Sequence, residues 1–131
     1  MKNFKKPISY YDMCKKELFY FRFDLAHSGV VYLPVEVYLY SEALRWNVGT
    51  PKVDVRLGDY VYHISIDKKP KILTEIPKQY EDEVNQVIKF ISCNYDILID
   101  HWNGILDDCD LMDAFLGKTS YRAFNGNIWV W

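Results

Sequence analysis

Four stretches in the first half of the chain alternate apolar and polar residues with a period of two, the spacing of a strand with one buried face. Residues 18–25 place Phe19, Phe21, Phe23 and Leu25 on one side and Tyr20, Arg22 and Asp24 on the other. Residues 35–40 set Val35, Val37 and Leu39 against Glu36, Tyr38 and Tyr40. Pro34 lacks an N–H, which suits a strand's start or a sheet edge. Residues 50–57 set Val53, Val55 and Leu57 against Lys52, Asp54 and Arg56, which predicts a strand with one wet face. Residues 60–66 return with Tyr62, Ile64 and Ile66 on one side. The segments His27-Ser28-Gly29, 46–51 and Gly58-Asp59 carry turn chemistry between these runs. Strands this close in sequence predict an antiparallel meander.

The period changes after Pro77, a residue tolerated in the first turn of a helix. Tyr80, Val84, Val87, Ile88, Ile91 and Tyr95 follow at spacings of three and four, the apolar stripe of an amphipathic helix. Leu98, Ile99, Trp102, Ile105 and Leu106 continue it. Asn94 tolerates a left-handed cap, so two consecutive helices are expected, over roughly 78–93 and 95–106. A further helix is expected near 111–116, with Gly117 as its stop. In the tail, Asn125-Gly126 is a strong hairpin signal, and the chain ends Ile-Trp-Val-Trp. The fold class is therefore α+β: an antiparallel β-meander of about four strands packed on two consecutive helices, with an extra C-terminal helix and a hairpin-like tail. A single domain spanning 1–131 is expected, with a basic N-terminal arm over 1–17 and an aromatic tail over 117–131.

Composition sharpens this picture at two points. Aromatic residues make up 17% of the 131 positions, enough for a substantial core and for amphipathic surface. The net charge of −2 hides an asymmetry. Residues 1–74 hold 12 basic and 8 acidic side chains, whereas residues 75–116 hold 2 and 10. The three cysteines, Cys14, Cys93 and Cys109, form no CxxC and follow no secretory leader, which reads as reduced thiols in a cytoplasm. No apolar run approaches the length of a membrane span.

Val37-Tyr38-Leu39-Tyr40-Ser41, Pro51-Lys52-Val53-Asp54-Val55, Gly58-Asp59-Tyr60, Ile64-Ser65-Ile66, Ile76-Pro77-Lys78 and Asp100-His101-Trp102-Asn103 succeed one another along about half the chain. In these segments and their spacing the chain resembles the DUF4160 family of small bacterial proteins. The resemblance implies a small protein without an assigned enzymatic activity, in some cases encoded beside toxin–antitoxin or mobile-element genes. The family's signature is Pro-His-x-His, two histidines on one strand face that could bind a metal or move protons. Here Lys52 and Asp54 stand at the histidine positions. A protonated lysine is a poor ligand and a lone aspartate makes no site, so neither a metal site nor a cofactor is expected.

The remaining candidate chemistry is sparse. No GxSxG, GxGxxG or Walker loop occurs, and no cysteine has a context that would lower its pKa. His63 can share a face with Lys52, Asp54 and Arg56; His27 reads as a turn residue and His101 as solvent-exposed. Asp107, Asp108 and Asp110 read as helix-capping acids, or as an acidic surface that imitates nucleic-acid phosphate. No catalytic residue is expected. The expected function is a non-enzymatic protein-interaction module of a mobile-element, phage or defence system. Its binding residues would be Lys52, Asp54, Arg56, His63, Asp107, Asp108, Asp110, Trp129 and Trp131. A homodimer through the edge strand 128–131 is compatible with this. Two other classes compete: a nuclease-like toxin using Lys52, Asp54, Arg56 and His63, and a nucleic-acid binder using the basic N-terminal half.

Overall fold

The period-two runs form one antiparallel sheet in the computed structural model, which describes residues 6–15, 23–40 and 49–130. In chain order the elements are β1 (Ile8–Ser9), α1 (Tyr10–Cys14), β2 (Phe23–Asp24), β3 (Glu36–Leu39), β4 (Lys52–Leu57) and β5 (Tyr60–Ser65). A 3-10 turn (Lys78–Tyr80) leads into α2 (Glu81–Cys93), α3 (Tyr95–Trp102) and α4 (Asp108–Phe115). The short strands β6 (Ala123–Phe124) and β7 (Trp129–Val130) finish the chain. Positions 18–22 of the first expected strand, loop positions 46–48 and Trp131 lie outside the described residues.

The sheet order is β1-β5-β4-β3-β2, antiparallel throughout. Four of the strands are the expected meander, and the fifth comes from the N-terminal segment. Gly58 opens the two-residue turn between β4 and β5 with φ +65, the conformation such a turn requires at its first position. A Cβ at Gly58 would lie 2.8 Å from the Tyr80 hydroxyl, so the turn also accommodates the start of the helical layer.

One sheet face is apolar. Val37, Leu39, Val53, Val55, Leu57, Tyr62 and Ile64 form a single buried cluster with Val84, Val87, Phe90 and Ile91 of α2 and with residues of α3 and α4. Each such side chain contributes roughly 1.5–3 kcal/mol by leaving water, so this face holds most of the hydrophobic stabilisation. Glu81, Asp82 and Glu83 crowd the first turn of α2, where the helix dipole favours negative charge.

The helices break at Asn94 as expected, but by another device. Asn94 has φ −117, outside the left-handed region. Its buried side-chain amide donates to the carbonyls of Phe90 (2.8 Å) and Phe124 (2.7 Å), and its Oδ1 accepts the Phe124 N–H (2.7 Å). The side chain thus pairs with β6 as a strand's backbone would, tying the tail to the α2–α3 junction. The tail hairpin docks closely too. Asn125 Oδ1 accepts the N–H groups of Asn127 and Ile128, and the Tyr32 N–H donates to the Asn125 carbonyl. Gly126, at φ +100, lies so near the Tyr32 carbonyl that a Cβ would come within 2.1 Å of its oxygen.

One expectation is corrected here. His101 is buried, not exposed, and its Nε2 bonds Asp108 Oδ1 at 2.7 Å. Its ring tilts toward Phe23, 6.5 Å away, so packing between sheet and helices overrides its polar character. The described part of the basic N-terminal arm is structured: β1 pairs with β5, Ser9 caps α1, and Met13 is fully buried against Tyr38 and Val61. Among the described residues no helix is long and apolar enough to cross a membrane.

Candidate functional site

The sheet face turned away from the α2–α4 helices carries the polar residues. Register places Tyr38 opposite Asp54 and Asp54 opposite His63; Glu36 lies opposite Arg56, and Arg56 opposite Val61. Side chains facing each other across a strand pair interact directly. Lys52, Asp54, Arg56 and His63 therefore share one face, as the alternation requires. The face is not evenly wet. Asp54 is fully buried, which corrects the reading of its strand as having a solvated side. The cause is the neighbouring phenol rings: Tyr38 and Tyr40 are themselves almost wholly buried beside it, and β1 and α1 close the Val61 end.

Asp54 has partners that make its burial tolerable. Its Oδ2 accepts the Tyr40 hydroxyl at 2.6 Å, and its Oδ1 lies 2.6 Å from Nδ1 of His63. The His63 backbone N–H donates to the hydroxyl of buried Thr74 at 3.0 Å, fixing the ring's base. The contact between Nδ1 and the carboxylate fixes the orientation of the ring. Nε2 has no hydrogen-bond partner among the described residues, and the His63 side chain keeps 16% of its surface exposed. A buried acid orienting an imidazole is a unit that can accept a hydrogen bond, move a proton or ligate an ion.

Arg56 is held on three sides. Its Nε donates to the Gly58 carbonyl at 3.1 Å, one terminal nitrogen lies 3.4 Å from Glu36 Oε2, and the guanidinium stacks 3.5 Å from the Tyr10 ring centre. Glu36 Oε2 also accepts the Tyr38 hydroxyl at 2.6 Å. Burial first, and then that hydrogen bond, push the Tyr38 phenol well above its ordinary pKa. At the β2 edge, Asp24 Oδ2 meets Nδ1 of His27, and this hydrogen bond, with the charge behind it, raises the imidazole above its usual range.

The other nominated residues are not brought to this face. Asp107 and Asp110 form a reciprocal capping box at the start of α4, with Asp107 Oδ1 accepting the Asp110 N–H at 2.7 Å. Asp108 holds His101. All three lie in the helical layer, across the sheet from Asp54. Trp129 sits on β7 with 44% of its surface exposed, its ring tilted against Phe124 and under the Arg122 guanidinium. Trp131 lies outside the described residues. The nominated set therefore divides into a sheet face, a helix cap and a tail.

Sequence reasoning did not nominate Tyr40, Thr74, Asp24 and Glu36 as site residues. For three of them a signal was present: Asp24, Glu36 and Tyr40 have the parity that opposes the core residues of their strands. Also unforeseen is a cleft of about 470 Å³ at the α2–α3 junction, lined by Lys68, Ser92, Tyr95, Asp96, Ser120 and Arg122 among others. It mixes both charge signs and contains none of the nominated residues. The three cysteines are unpaired.

No protein-family model matches the chain, and no curated protein and no solved structure matches it. The likeness to DUF4160 rests on the quoted segments and their spacing.

Proposed function

We propose that this protein is a non-enzymatic interaction module that docks a protein partner on the polar face of its sheet. The observation that carries this reading is the charge pattern of that face. Two carboxylates (Asp24, Glu36) interleave with Lys52 and Arg56 across adjacent strands, with His27 at one edge and His63 near the other, while buried Asp54 anchors the His63 ring from beneath. Mixed signs on a pre-ordered surface suit a protein of complementary pattern and set the register of docking. The same pattern disfavours a nucleic acid, whose phosphates would meet a carboxylate close to Arg56, a cation already paired with Glu36. A mobile-element, phage or defence setting is what the resemblance suggests.

The test begins by capturing a partner from host lysate on the immobilised full chain and purifying it. Its affinity is then measured against Lys52→Glu and His63→Gln, with Asp108→Asn and Trp129→Ala reporting on the other two groups of nominated residues. Loss of affinity confined to the two sheet-face variants is the expected result. Equal loss in Trp129→Ala or Asp108→Asn, or self-association with no other partner, overturns it.

A second reading, a nuclease-like enzyme, has one observation in its favour: the His63 ring is held through Nδ1 by a buried acid, Asp54, as a general base would be. Asp54 is poorly placed to serve it as a metal ligand, because it is fully buried and its oxygens hold Tyr40 and His63. Incubating the protein with RNA and DNA, with divalent metals present, separates the readings. Cleavage that disappears in His63→Gln while the fold persists would replace the first proposal with the second.

A further inference from the structure

We propose that Asp24, His27 and Glu36 form a binding site for a first-row divalent transition-metal ion of the zinc class, held by one imidazole nitrogen and two carboxylate oxygens. The three residues come from three local contexts. Asp24 ends β2, His27 lies in the turn after it, and Glu36 begins β3 on the polar face. One ligand atom from each lies within 4.8 Å of both others. An ion with bonds of about 2.0–2.2 Å in a tetrahedral shell separates its donors by roughly 3.3–3.5 Å. To reach that spacing the Asp24–His27 pair opens from its hydrogen-bond contact to admit the ion between the three donors.

Two features distinguish this cluster from a chance gathering of acids. The first is the donor set. An imidazole with two carboxylates is a mixed nitrogen and oxygen shell, which suits zinc, manganese, iron or cobalt and not the all-oxygen shells of calcium and magnesium. The second is the support behind it. The Tyr38 hydroxyl and Arg56 both engage Oε2 of Glu36, which leaves Oε1 without a partner among the described residues and aims the carboxylate. Outer-shell hydrogen bonds of this kind orient metal-binding carboxylates. Asp24 is likewise held, its Oδ1 accepting the His27 N–H at 3.4 Å. An Asx-type turn explains the Asp24–His27 contact; it does not explain why Glu36 joins from the next strand.

The site is accessible, with His27 exposing 66% of its side chain and Asp24 29%. Entry of the ion replaces the proton on Nδ1 of His27, which leaves to solvent as the ring's lone pair binds the metal. Three protein ligands leave at least one coordination position for water or another group. The proposal does not rest on the docking reading, since it concerns the isolated protein.

Zinc chloride is titrated into the full chain by calorimetry, with histidine ring resonances followed by NMR. The expected result is one ion per chain, with the His27 ring shifting and those of His63 and His101 unmoved. Affinity should fall at least about tenfold in both His27→Ala and Glu36→Gln, in line with the loss of a ligand or its support. Cys109→Ser, which removes an exposed thiol outside the site, should bind as the unaltered chain does. Absence of saturable binding, a preference for calcium or magnesium, or unchanged affinity in His27→Ala overturns the proposal. If Glu36→Gln fails to fold, His27→Ala decides alone, because that exposed side chain supports no core.

Discussion

Asp54 is the residue on which sequence and structure differ most usefully. Its alternation with Val53 and Val55 gave its face correctly, but a period of two does not say whether a polar face is wet. What buries Asp54 is a pair of tyrosines, Tyr38 on β3 and Tyr40 just after it, and their alternation with Val37 and Leu39 was equally plain. The missing step was cross-strand register, which pairs Tyr38 with Asp54 and Asp54 with His63. Register depends on turn lengths, which single residues do not reveal. A buried acid with two donors behaves as a network. Tyr40→Phe removes one donor and should cost about 1–2 kcal/mol, while Asp54→Ala takes the carboxylate from both the Tyr40 hydroxyl and the His63 ring and should cost about 2–4 kcal/mol. Urea unfolding of the two variants checks the ranking; a milder effect for Asp54→Ala would mean that water replaces the carboxylate. Tyr121 offers a pH test at the same scale. Its hydrogen bond to Asp100, followed by burial, pushes its phenol up to about 12 from an ordinary 10.0. A raised value favours the protonated, folded form, so this contribution is complete below pH 10.0 and disappears as pH climbs toward 12. The difference in phenolate absorbance between the unaltered chain and Tyr121→Phe should titrate late; a midpoint at the ordinary value would show that the contact with Asp100 does not hold in solution.

At the scale of elements, the helices were the most legible part. Spacings of three and four from Tyr80 to Ile91 predicted α2, and the same residues meet the sheet. Pattern alone could not supply what joins elements across long separations. Asn94 and Phe124 are thirty positions apart, and no local signal links them. The break at Asn94 was foreseen from its tolerance of left-handed backbone, yet its amide is used as a stand-in for a neighbouring strand. Asn94→Ala therefore does more than alter a helix end. It takes the side-chain partner from the Phe124 N–H and carbonyl in a buried place, while the Phe90 carbonyl keeps the backbone N–H of residue 94, at a cost of about 2–4 kcal/mol. Hydrogen exchange should show β6 and β7 losing protection ahead of β4. Equal loss in both would mean that the tail and sheet unfold as one unit and that Asn94 is not a local clasp. Capping at α4 illustrates the opposite case: Asp107 and Asp110 have the spacing of a capping box, and the helix-capping alternative for these acids matches the observed bonds.

At the scale of the molecule, the sheet separates two cores of unequal size. The larger lies under the helices; the smaller consists of Met13, Tyr38 and Val61, with Ile8 and Tyr10 packed against it. The lysine-rich beginning of the chain reads in sequence as a basic arm, because charge dominates its composition. Its few apolar residues have another use: Ile8 faces Val61 across β1 and β5, and Met13 follows one short turn later. Such a segment reads poorly in sequence, since two residues of strand and five of helix are too few to establish a period. Its position nevertheless governs the polar face, because Tyr10 lies under Arg56 and Arg56 steadies Glu36. Met13→Ala should then have two consequences. Loss of a fully buried side chain should cost about 2–5 kcal/mol, read as a lower urea midpoint. Loosening of α1 should also release Arg56 from the Tyr10 ring, which would appear as a shift of the Arg56 side-chain resonances in the folded protein. Destabilisation without that shift would make the segment a lid on Val61 alone; the two effects together would make it the support on which the polar face depends.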